Sequence, residues 1–158
     1  MKASYRFVLL LVCLLGVSLK FGQAQQDSAP VSASLCDLYQ NPASYAGKTV
    51  AVRGTVAGND LWIDDFEATC KAWFKVIVIL PEEAKPPQQP QTVKDESFRV
   101  FFEDLRKGMN VQATFEGRFE AGSAGAVKGP GFGRKHDARA QIVLLRVSDV
   151  VARPKPHK

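Results

Sequence analysis

Two hydrophobic periods alternate along this chain. From Thr49 to Ala57 (TVAVRGTVA), Val50, Val52 and Val56 occupy every second position against Thr49, Arg53 and Thr55, the pattern of a half-buried strand. Gly54 falls on the inward side, where a bend or bulge is expected. Residues 109–120 alternate more strictly: Met109, Val111, Ala113, Phe115, Gly117 and Phe119 on one side, and polar residues from Asn110 to Glu120 on the other. Residues 61–66, 72–80 and 139–151 supply three more strands, and the 72–80 run is apolar on both faces at its end.

The helical period occurs twice. Ser34 can cap a short helix with Leu35, Leu38 and Tyr39 on one face, and Asn41-Pro42 ends it because the residue before proline avoids the α region. Phe98, Phe101, Phe102 and Leu105 fall at i, i+3, i+4 and i+7, with Asp95 or Ser97 as cap and Gly108 as terminator. Between the elements lie a polar Pro/Gln-rich stretch, 81–94, expected to be a solvated insert, and a glycine-rich loop, 121–138.

The resulting order predicts a mainly β fold: a five-stranded Greek-key barrel of the OB type, with a short N-terminal helix and one helix between strands three and four. The domain is expected over 35–152, after a disordered leader at 25–34 that lacks any period. A basic tail, 153–158, follows it.

The start of the chain sets the compartment. Lys2 and Arg6 precede an apolar run, 7–19, and Gly22-Gln23-Ala24 offers small residues at the positions a signal peptidase reads. A signal peptide over 1–24, cleaved near Ala24, makes the mature chain secreted or periplasmic in a bacterium. The apolar run falls short of the ~20 residues that cross a bilayer, so no retained span is expected; an uncleaved anchor is the alternative. Cys13 does not fit a lipoprotein, because Val12 stands before it where a small residue is needed.

Charge removes one class of partner. The formal net charge is +5, but Lys2, Arg6 and Lys20 leave with the signal, and Arg153, Lys155 and Lys158 lie in the tail. Between residues 36 and 152, fifteen Lys or Arg balance fifteen Asp or Glu. A neutral domain argues against nucleic acid as a ligand. The mature chain keeps Cys36 and Cys70, and an even pair in an exported protein ordinarily forms a disulfide; two reduced buried thiols are the alternative. A bridge closing that loop is worth ~3–4 kcal/mol in the chain-entropy treatment. There is no CxxC, which argues against a thiol-exchange enzyme.

Four segments carry a resemblance: CDLYQNPASYAGKTVAVRGTV from Cys36, FEGRFEAG from Phe115, GFGRKH from Gly131 and the closing IVLLRVSDV. Together they resemble a group of small exported bacterial proteins of unassigned function with an OB-like barrel. The resemblance implies the barrel and a Cys36–Cys70 bridge. In the group's pattern, Gly-Phe-Gly is followed by His, Gly and an aromatic residue; here Arg134 and Lys135 stand before His136 and no aromatic follows.

Two places are candidate ligand sites. Trp62 and Phe66 share one side of the second strand, and Trp73 and Lys75 share a side of the third, the face on which OB domains stack bases or sugars. The alternative is that these rings are covered as a second small core. In the loop, Gly131 and Gly133 can turn amides toward an anion beside Arg134 and Lys135; the plain reading is a flexible connection. Asp60, Asp64, Asp65 and Glu67 match no calcium loop, and His136 and His157 have no zinc-site context, so neither metal nor cofactor is expected. No nucleophile–histidine–acid spacing is present. The expectation is a non-enzymatic binding module for a protein or envelope component, or else for a small anion or saccharide. A hydrolase built on a carboxylate pair is the remote alternative.

Overall fold

A computed structural model describes residues 29–57, 61–64, 76–84, 90–122, 132 and 138–154 of the chain. The expected signal peptide (1–24), the 58–60 turn and residues 155–158 of the tail lie outside the described residues. No helix among the described residues is long and apolar enough to cross a membrane.

The described chain is mainly β. In order it runs β1 (Val31–Ala33), α1 (Leu35–Gln40), α2 (Pro42–Tyr45), β2 (Thr49–Ala57), β3 (Trp62–Asp64) and β4 (Val76–Ile79). A 3-10 turn (Pro81–Glu83), α3 (Glu96–Arg106), β5 (Asn110–Ala121) and β6 (Ala140–Arg153) follow. β2, β3 and β4 form an antiparallel meander, β4 pairs in parallel with β6, β6 pairs antiparallel with β5, and β5 returns to β2. That last pairing runs from Thr49↔Arg118 to Ala57↔Asn110 and closes five strands into an OB-like barrel. Closure leaves β2 to β6 without the long open edge that a small sheet must otherwise protect.

The alternation decides what lies inside. Val52 and Val56 of β2, Phe115 and Phe119 of β5 and Ile142 of β6 are fully buried. α3 adds Phe101 and Leu105 to the same core. The Phe101 ring meets Phe115 edge-on, centroids 5.4 Å apart, an arrangement that suits the aromatic quadrupole. Asp95 caps α3 by accepting from the Phe98 amide at 3.1 Å, and Gly108 follows its end at φ 77°. At α1, Ser34 Oγ accepts from the Asp37 amide at 3.1 Å while Asp37 Oδ2 accepts from the Ser34 amide at 2.9 Å, a reciprocal capping box.

The structure departs from the sequence reading in four places. Part of the leader is ordered: Val31, Ser32 and Ala33 pair in parallel with Val50, Ala51 and Val52. Their backbone groups find partners on the edge of β2 that β3 leaves uncovered, and Ala33 is buried against the core. The 81–94 insert is not wholly solvated. Pro81, Ala84 and Thr92 are buried, Thr92 Oγ1 donates to the Leu144 carbonyl at 2.8 Å, and the Val93 amide donates to Leu145 at 2.8 Å. Those two carbonyls on β6 supply the acceptors that a propensity argument cannot see. No bulge forms at Gly54, whose pairing with Ala113 continues the β2–β5 register unbroken. The irregularities fall instead on β6, at Leu145 and at Asp149–Val150. Finally, β6 runs on to Arg153, which the sequence assigns to the tail.

Candidate functional site

Register places Trp62 on a specific face. Ile63, its neighbour in β3, is 2% exposed and points into the barrel, so Trp62 points outward. Trp62 pairs with Ile77 of β4, Ile77 with Gln141 of β6, and Gln141 with Glu120 of β5. Laterally paired residues share a face, so these four make one row across the outer surface. Three interstrand gaps of ~4.8 Å make the row about 14 Å wide. A parallel row runs Ile79, Val143, Arg118 and Thr49.

The row changes character along its length. The Trp62 end is apolar and half-buried. Ile77 and Val143 face outward yet are 6% and 1% exposed, so the middle of this face is covered rather than open. The far end is a polar set: Gln141 Nε2 donates to Glu120 Oε2 at 2.6 Å, and Arg118 Nη2 donates to Glu120 Oε1 at 2.8 Å. Gln141 is itself 8% exposed, and its amide is held by that carboxylate, as a buried polar group requires.

The glycine-rich loop is anchored beside the polar end. Phe132 exchanges two backbone hydrogen bonds with Ala138, at 2.9 and 3.2 Å, just before β6 begins. The Gly122 amide donates to the Arg139 carbonyl at 3.1 Å, and a β-carbon at Gly122 would stand in ordinary contact with the Phe132 ring. Gly131, Gly133, Arg134 and Lys135 lie outside the described residues. So do Phe66, Trp73, Lys75 and Cys70. Of the predicted ligand residues, Trp62 alone is described, and Cys36, half-buried on α1, stands for the predicted bridge.

Sequence reasoning missed Arg118, Glu120 and Gln141 as a set. The alternation does mark Arg118 and Glu120 as outward. Their junction with Gln141 depends on the β5–β6 register, which two bulges shift. No group of three or more His, Cys, Asp or Glu able to hold a metal ion occurs among the described residues. Comparison with known protein families, with curated proteins and with solved structures finds no match.

Proposed function

We propose that this chain is an exported, non-enzymatic OB-like binding module that docks a protein or another component of the cell envelope on the outer face of β3 around Trp62. The observation that carries this reading is Trp62: a large aromatic on the outside of a closed barrel, half-buried, heading a row that grades from apolar to charged. Rigid aromatics with one wet edge are the side chains most often found at the centre of binding energy. The face belongs to the part of the OB barrel that binds ligands in other proteins of that architecture, which supports the reading by analogy of fold. Export rests on the signal-like segment 1–24. A Cys36–Cys70 bridge belongs to the same proposal. It is supported by the even pair, Cys36 and Cys70, that remains once Cys13 falls inside the signal-like apolar run.

A photo-crosslinking amino acid at position 62 of the mature chain tests the proposal in envelope extract. A discrete adduct at position 62, missing when the probe stands at Glu116 on another part of the barrel, supports it. Equal labelling from both positions contradicts it.

A second reading is small-ligand binding at the same face, favoured by the Arg118–Glu120–Gln141 set at the polar end of the row that Trp62 heads. Amide, carboxylate and guanidinium on one face with an aromatic plate is the chemistry that holds a saccharide. Under that reading, tryptophan emission shifts on titration with sugars, and a flat response across the series counts against it.

A further inference from the structure

On a different part of the barrel, two arginines converge on one amide. Gln112 of β5 lies between β2 and β6, paired with Thr55 on one side and Val151 on the other. Arg53 Nη2 donates to Gln112 Oε1 at 3.4 Å, and Arg153 Nη2 donates to the same oxygen at 3.2 Å. Both side chains are exposed on the outer surface. Two full positive charges are thus held a few ångströms apart by a neutral acceptor, which offsets little of their mutual repulsion.

Three other described arginines are neutralised differently, whereas Arg106 and Arg139, among the described residues, form no ion pair and share no acceptor with another arginine. Arg99, Arg118 and Arg146 each meet a carboxylate. Among the described residues, Arg53 and Arg153 meet none. Two described carboxylates lie on this part of the outer surface: Asp149 is engaged by the Thr114 and Ser148 hydroxyls at 3.0 and 3.4 Å, and Glu116, opposite Ala51 and diagonal to Arg53, forms an ion pair with neither arginine. Asn110, paired with Arg153 across β5–β6, keeps a buried side-chain oxygen without a hydrogen-bond partner. The two guanidinium groups thus stand without a counter-charge, while the Asn110 oxygen, an acceptor, calls for a donor and adds nothing to an anion site.

We propose that Arg53 and Arg153, drawn together by Gln112, form a binding site for an oxyanion, a carboxylate or phosphate group carried by a small molecule. Guanidinium forks match the geometry of both groups, and an anion between them converts repulsion into two charge-assisted contacts. The forks stand on the two strands flanking β5, which fixes their spacing better than a loop would. The site does not involve Trp62, so it stands or falls apart from the docking face.

The test is a titration of the whole mature chain with inorganic phosphate, with citrate and with chloride at constant ionic strength. It is followed by nuclear magnetic resonance at the Gln112 side-chain amide and the arginine Nε groups, and by the melting temperature. Saturable movement of the Gln112, Arg53 and Arg153 signals with phosphate, citrate or both is expected, together with a rise in melting temperature. Phosphate without citrate assigns the phosphate class, and citrate without phosphate the carboxylate class. Arg53→Gln or Arg153→Gln weakens binding about tenfold, and Arg99→Gln leaves it unchanged. A response to neither anion, an equal response to chloride, or undiminished binding in the Arg53→Gln and Arg153→Gln proteins overturns the proposal.

Discussion

Asp149 of β6 holds a backbone φ of 51° while its carboxylate accepts a hydrogen bond from the Thr114 hydroxyl of β5, Oδ2 to Oγ1 3.0 Å. The pairing steps from Gln112↔Val151 to Thr114↔Ser148, so two residues of β6 stand opposite one of β5. The extra residue takes the left-handed conformation, which a short acidic side chain tolerates when it can bond locally. Thr114→Val therefore costs about 1 kcal/mol. Asp149→Ala costs more than Asp149→Gly, because glycine alone relieves the backbone once the hydrogen bond is gone. Urea unfolding of the three variants checks the order. An alanine protein as stable as the glycine one contradicts the strained-bulge account.

Gly117→Ala tests the close approach of β5 and β6. A β-carbon there would fall on the carbonyl oxygen of Val143 and on Ile142 Cγ2, and the carbonyl belongs to the ladder and cannot swing aside. Overpacking of this kind costs about 1–3 kcal/mol, with backbone obstruction placing the change at the upper end. Gly117→Ala should lower the melting temperature by several degrees, read by circular dichroism. An unchanged midpoint would mean that the strands separate freely at this point.

Ser34 makes the capping box dependent on pH. Its hydroxyl first, and then its amide, hold the Asp37 carboxyl below the usual carboxylate range. A carboxyl whose pKa is lowered on folding adds stability above its unfolded pKa and loses it as pH falls through the folded one. Wild type should exceed Asp37→Asn in stability at neutral pH, and the gap should narrow below the ordinary carboxylate range. Thermal melts across an acid series measure it, and a gap that is constant with pH would exclude the charged form from the cap.

The proposed Cys36–Cys70 bridge predicts a response to reductant. Loss of a loop closure of this length removes ~3–4 kcal/mol in the chain-entropy treatment. The melting temperature should fall on reduction and in Cys36→Ser. Equal midpoints with and without reductant would remove the bridge.

Strong periods were legible in the sequence and long-range register was not. The bounds of β2, Thr49 to Ala57, follow from its valines alone, and the stripe of Phe98, Phe101, Phe102 and Leu105 fixes α3. β1 carries no such signal, because three residues of small or exposed character form a strand only where a distant edge accepts them. Alternation puts Trp62 and Phe66 on one side of the strand and leaves open which way that side faces; the burial of Ile63 decides it, and the row-mates Gln141 and Glu120 come from three pairings and two bulges that no local pattern encodes. The cover over Ile77 and Val143 is likewise tertiary, since nothing in an apolar strand says which of its two faces meets solvent.

Which side chains face outward, Trp62 and Arg53 included, depends on the sheet closing between β2 and β5. Nuclear Overhauser contacts between backbone protons across that seam test it most directly. The account predicts contacts between Val52 and Phe115 and between Val56 and Val111. Strong β2–β3 contacts with none from β2 to β5 would describe an open sheet and contradict it.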